Sequence, residues 1–214
     1  MRAVACEDSY PIILAVGDEM TRSGKGGRKR SELRIIAGQW RGRKLLFTPQ
    51  EGLRPTTDRV RETLFNWLAG HIHSARCADL FSGSGALGLE ALSRGAGHCD
   101  FVDSSKQALG QINTHLATLA ASDRGHCHLM PAEQFLERAR EPYDIVFIDP
   151  PFGRALAEPT CAQLDNRQLL AQQAMVYIET AAGDPCPAVP PRWSLHREKT
   201  AGGVAYRLFT IGMD

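Results

Sequence analysis

Two hydrophobic periods alternate along this chain. Short apolar, β-branched runs recur, and between them apolar residues return at helical spacing. The runs predict strands over Cys77–Phe81, His98–Val102, Cys127–Met130, Asp144–Ile148 and Met175–Glu179. The intervening stretches predict helices over Ala86–Ser93, Lys106–Ala121, Gln134–Ala139 and Cys161–Ala171. Such alternation implies a parallel sheet with right-handed crossovers. The ending differs: Trp193–Arg197 and Val204–Thr210 flank Ala201-Gly202-Gly203 and read as an antiparallel hairpin. Upstream, Arg34–Ala37 and Lys44–Phe47 read as two short strands around the basic turn Gly38-Gln39-Trp40-Arg41-Gly42-Arg43. Thr57 can cap a helix starting near Asp58, with Val60, Leu64, Trp67 and Leu68 on one apolar face. The expected fold is α/β and Rossmann-like: a mostly parallel seven-stranded sheet ending in an antiparallel hairpin, with an N-terminal β-hairpin extension. Three parts are expected: a disordered basic leader (1–30), the hairpin extension (31–52) and the main domain (53–214).

Charge adds a direction to this plan. The net charge is only +1. Between Arg22 and Arg61, however, twelve Lys/Arg face three acids, a local net of +9, and the remainder carries −8. A basic segment on an acidic body suggests a polyanion partner at one end, with a solvated basic tail as the plainer alternative. The Gly/Lys/Arg-rich stretch 23–30 has no apolar period, and Met20 just before it is a second candidate start. Residues 11–16 are apolar but short and follow Glu7 and Asp8, so neither secretion nor a membrane span is expected. Six cysteines without C-x-x-C spacing fit a reducing cytoplasm and not a disulfide scaffold.

Four features carry candidate chemistry. Gly83-Ser84-Gly85-Ala86-Leu87-Gly88 is a G-x-G-x-x-G between a strand and a helix, where backbone can approach a ligand closely. Asp103 ends the next strand, where a carboxylate can hold ribose hydroxyls. Both features suit a nicotinamide dinucleotide as well as S-adenosylmethionine. Asp79 separates them, because a carboxylate inside a buried strand needs a partner, and a cofactor bearing a cationic amino group supplies one. Finally, Tyr143–Ile148 runs into Asp149-Pro150-Pro151-Phe152. The prolines forbid helix and further ladder, leaving a carboxylate, a carbonyl and an aromatic face at the strand end where ligands bind. Together they can hold a flat, amino-bearing ring.

Asp79-x-Phe81-x-Gly83-x-Gly85 with Asp149-Pro150-Pro151-Phe152 resembles the amino-group class of S-adenosylmethionine-dependent methyltransferases. The stretches Arg34–Lys44, Leu53–Leu68, the glycine loop through Arg94, and Trp193–Lys199 resemble, more narrowly, the bacterial 16S rRNA guanine-N2 methyltransferase family. The resemblance runs from about Arg34 to Phe209. It implies methyl transfer from S-adenosyl-L-methionine to a guanine amino group of 16S rRNA, in the small ribosomal subunit or its assembly intermediate, by a monomeric cytoplasmic enzyme. Catalytic roles then fall on Asp149, Pro150 and Phe152. Cofactor contacts fall on Asp79, Phe81, Gly83, Gly85, Asp103, Ser104 and Ala132, and RNA contacts on Arg34, Arg41, Arg43, Lys44 and Arg54. One departure is Pro131, where the family often places Asp or Asn to accept from the adenine amino group; proline offers no such acceptor. A DNA or protein amino-methyltransferase and a non-catalytic RNA-binding assembly factor are the alternatives.

Other residues carry less. Arg61, with Arg54, could reach an anion or serve in a surface ion pair. Trp40 is expected to pack under the hairpin more than to stack on a base. His126 and His128 share a strand face, but no further ligand is apparent nearby in sequence, so no metal is expected. His71 and His73 read as loop residues and His115 as a helix-surface residue.

Overall fold

The computed structural model describes residues 31–48 and 56–212. The basic leader, Met20 and Arg54 lie outside them. Strands β1 (Ser31–Arg34) and β2 (Lys44–Phe47) form an antiparallel pair. The main sheet contains β3 (Arg76–Asp79), β4 (His98–Asp103), β5 (Gly125–Leu129), β6 (Tyr143–Ile148), β7 (Leu170–Ala181), β8 (Trp193–Ala201) and β9 (Val204–Ile211). Its order is β5-β4-β3-β6-β7-β9-β8. The first five strands run parallel, and β9 lies antiparallel between β7 and β8. Five helices complete the described chain: α1 (Asp58–Trp67), α2 (Ala86–Ser93), α3 (Lys106–Thr118), α4 (Ala132–Arg138) and α5 (Ala157–Asn166).

The sheet separates two apolar layers. One joins α1, α2 and α3 with the N-terminal hairpin, through residues such as Leu64, Leu89, Ile112, Leu45 and Trp40. The other joins α4 and α5, through Leu136 and Leu164, to the opposite sheet face. Gly88 allows α2 to lie close to the sheet, since a Cβ there would stand 2.2 Å from the Phe101 ring. The order of β3 and β6, neighbours at the middle of the sheet, brings the glycine loop and the Asp-Pro-Pro-Phe turn to the same C-terminal edge.

Several expectations shift. The first hairpin strand ends at Arg34 instead of spanning Arg34–Ala37, because the backbone N–H groups of Ile36 and Ala37 donate to the Glu90 carboxylate at 2.8 and 3.0 Å. The fifth helix ends at Asn166, and Leu170 and Ala171 already belong to β7. A short apolar run does not distinguish helix from strand by period alone. Thr57 does cap α1, its hydroxyl accepting from the Val60 N–H at 3.4 Å. On that helix Phe65 is buried with Val60, Leu64 and Leu68, while Trp67 is only partly covered. Arg61 reaches no external anion: it is fully buried, donating to the Arg34 carbonyl and Asp58 and lying 3.6 Å from Glu90. Trp40 packs in the core as expected, with the Arg124 guanidinium over its ring. His115 is buried and not a surface residue, because it lies where α3 packs under β2.

Candidate functional site

A cavity of about 890 Å³ opens at the C-terminal edge of β3, β4 and β6. Asp79, Phe81, Gly83, Asp103, Ser104, Ala132, Asp149, Pro150 and Phe152 all line it. Gly85 lies just behind that wall, buried and left-handed with φ +76°, where it turns the chain into α2. A Cβ at Gly85 would press on Ile112 at 2.9 Å, so the turn needs glycine on both counts. Of the residues expected to meet RNA, Arg34, Arg41, Arg43 and Lys44 are exposed on the hairpin. Lys44 also pairs with Glu32 at 3.1 Å.

Asp79 ends β3, almost fully buried, and accepts from the Gly88 N–H at 3.0 Å. Burial pushes its carboxyl up to about 7, against the Gly88 hydrogen bond, and Asp103 adds to the rise. Gly88 is the third residue of α2, so Asp79 already occupies an N–H at the helix end that would hold a dinucleotide pyrophosphate. The Asp103 carboxylate accepts from Gly83 N–H at 2.9 Å and Ser105 N–H at 2.7 Å, which fixes both the glycine loop and the entry to α3.

Asp149 stands at the end of β6, reachable from the cavity. Burial raises its carboxyl well above the ordinary range, the Glu179 carboxylate raises it further, and a hydrogen bond from Thr56 opposes both. The Thr56 hydroxyl donates to Asp149 Oδ2 at 3.1 Å. Glu179 is itself buried and accepts from the Tyr177 hydroxyl at 2.7 Å. Phe152 is exposed at the rim, as a platform awaiting a flat partner would be. Among the described residues, the cavity thus gathers four carboxylates, Asp79, Asp103, Glu133 and Asp149, against one cationic side chain, Arg154, which is ion-paired to none of them. That excess of negative charge favours a cationic ligand over a dinucleotide diphosphate.

Pro131 lines the cavity and precedes α4, whose first residue is Ala132. The helix therefore presents the Ala132 N–H there, with Glu133 beside it. Sequence reasoning missed Thr56 and the α5 side of the cavity, where Pro159, Gln163 and Asn166 contribute. No local signal marked Thr56, which meets its partner across 93 residues of chain.

At the opposite edge, His98, Asp100 and His126 bring three donor atoms within 4.8 Å, neighbours that the sequence did not reveal. Asp100 already receives the Arg76 guanidinium at 3.2 Å, the Tyr143 hydroxyl at 2.8 Å and His128 at 2.7 Å. Arg76 thus fills the place of a cation.

A family model described as conserved hypothetical protein 95 matches residues 33–210. The chain belongs to this family. Within it, the chain is 51% identical over 180 residues to ribosomal RNA small subunit methyltransferase D of Escherichia coli (strain K12), covering 83% of this chain and 89% of that protein. The Haemophilus influenzae protein of the same name is 44% identical over 183 residues, covering 84% and 94%. A solved structure described as a candidate methyltransferase, yhhF, of Escherichia coli superposes with a TM-score of 0.78 at 48% identity, covering 85% of this chain and 99% of that one. The seven-stranded sheet with its antiparallel end is accordingly the S-adenosylmethionine-dependent methyltransferase fold. Among the described residues no helix is long and apolar enough to cross a membrane.

Proposed function

We propose that this protein transfers the methyl group of S-adenosyl-L-methionine to the exocyclic N2 of a guanine in 16S rRNA, within the small ribosomal subunit or its assembly intermediate. The observation that carries the reading is Asp149, held at the end of β6 beside Pro150 and open to an acidic cavity. Relatives named for small-subunit rRNA methylation supply the substrate class.

The bound cofactor supplies an electrophilic methyl on a cationic sulfonium. Asp79 and the glycine loop would hold its amino-acid end, Asp103 its ribose hydroxyls, and the Ala132 N–H its adenine ring. Phe81 and Ser104 complete the walls. At the target, the guanine amino nitrogen is a poor nucleophile because its lone pair is delocalised into the ring. The Asp149 carboxylate and the Pro150 carbonyl each accept one N–H, which aims the lone pair at the methyl carbon and stabilises positive charge on nitrogen. In the transfer the S–CH3 bond would break as the C–N bond forms, its electron pair remaining on sulfur, and the proton shed by the nitrogen would pass to solvent at the cavity mouth. Phe152 stacks on the unstacked base, a contact worth about 1–3 kcal/mol in single-strand recognition. Arg34, Arg41, Arg43, Lys44 and Arg54 hold phosphates, making residues 31–52 a docking extension on the catalytic domain.

The deciding assay offers methyl-labelled S-adenosylmethionine with small subunits, free rRNA and DNA, followed by nucleoside analysis. N2-methylguanosine in rRNA is the expected product. Label in DNA adenine, in protein, or nowhere would overturn the assignment.

A further inference from the structure

Thr56 belongs to neither the glycine loop nor the Asp-Pro-Pro-Phe turn, yet its side chain is the one hydrogen-bond donor resolved on Asp149 among the described residues. We propose that Thr56 is a positioning residue for the methyl transfer: its hydroxyl fixes Asp149 Oδ2, so that the other carboxylate oxygen faces the target amino group. The inference rests on the reading of Asp149 given above.

The geometry supports it in three ways. Thr56 is only 9% exposed, which limits how far its hydroxyl can trade Asp149 for bulk water. Its backbone is anchored, because Thr57 next to it caps α1, and Arg61 on the first turns of α1 is tied to Asp58 and to the Arg34 carbonyl. It also meets Asp149 at the cavity wall, which both residues line. A carboxylate that must accept from one side of a planar amino group needs its rotation stopped, and a single fixed donor on Oδ2 stops it. Glu179, buried on the next strand, acts in the opposite sense, since its negative charge disfavours ionised Asp149 while the Thr56 hydrogen bond favours it.

This opposition gives a test that a merely structural threonine would not pass. Turnover is measured against pH with small subunits or rRNA for Thr56→Val, Thr56→Ser, Glu179→Gln and Asp149→Asn, alongside cofactor binding by calorimetry. Thr56→Val should lower kcat about ten- to a hundredfold, with cofactor affinity and KM for RNA within a few-fold of wild type. Its acidic limb should move to higher pH, because a donor that favoured the carboxylate is gone. Thr56→Ser should recover most of the rate and the wild-type limb. Glu179→Gln should move the limb to lower pH. If Asp149→Asn is inactive but Thr56→Val keeps the wild-type rate and limb, the positioning role is overturned while the site reading stands. Wild-type turnover by Asp149→Asn overturns both. Retained cofactor binding in each variant shows that the cavity is folded.

Discussion

Asp79 and Asp100 stand on adjacent buried strands, β3 and β4, and live in opposite electrostatic worlds. Around Asp100, burial opposes the charge, yet hydrogen bonds from His128, His98 and Tyr143 outweigh it and hold the carboxyl below its usual range. Asp79 has a single backbone N–H and no cation, and burial lifts it to about 7. One carboxylate is complete within the fold. The other has no charge partner inside the fold, a perturbed state of the kind that clusters at binding sites. The two should also pull stability in opposite directions. With its folded value lowered, Asp100 contributes stability that is full above the ordinary carboxylate range and is lost only as pH falls toward the low folded value. With its folded value raised, Asp79 weakens the empty protein progressively as pH rises from about 4 to about 7.

The largest effect expected is on chemistry. Asp149→Ala should reduce kcat by about three orders of magnitude, as losses of transition-state hydrogen-bond partners do, while cofactor still binds by calorimetry. Next comes Asp100→Ala, which strands Tyr143 and two histidines and leaves Arg76 only its Glu141 partner. It should lower unfolding free energy by about 3 kcal/mol in urea titrations without moving cofactor affinity. If cofactor affinity falls instead, the division between a structural and a waiting carboxylate is wrong. Asp79→Asn should weaken cofactor binding about thirty- to a hundredfold. In the unaltered protein the same affinity should rise between pH 6 and 8, because a cationic ligand selects ionised Asp79; calorimetry in buffers of different ionisation enthalpy should show a proton released near pH 7. The smallest effect belongs to Asp103→Asn, about tenfold in affinity, since Asp103 is partly exposed and its oxygens are shared with Gly83 and Ser105.

What could be read from the chain follows the same divide. Asp79 and Asp149 announce themselves beside a glycine loop and a proline pair, and Asp103 by ending the strand that follows the glycine loop. The central strands are legible because buried parallel strands are nearly continuous apolar runs. Residues that matter through distant partners are silent. Thr56 looks like a spare threonine before a cap, and Arg61 like a surface charge, until Glu90 and the Arg34 carbonyl appear beside it. His98 and Asp100 gave no sign of His126 and His128, because strand neighbours are set by topology and not by sequence separation. The α5–β7 boundary slipped because Leu169-Leu170-Ala171 fits either element.

Helix α2 begins at the glycine loop, and Glu90 and Ser93 on its second half grip the N-terminal hairpin through Ile36, Ala37 and Trp40. At eight residues it is only about 12 Å long. The basic arm and the floor of the cavity are thus the two jaws of one short caliper. Their separation is set by a single rod of about two turns, clamped by backbone N–H groups at one end and Asp79 at the other. On the proposed reading, a nucleotide is served only if its flanking phosphates lie at that gauge from the base to be modified. On that same reading, lengthening or loosening α2 would change which nucleotide fits before it changed how the reaction runs.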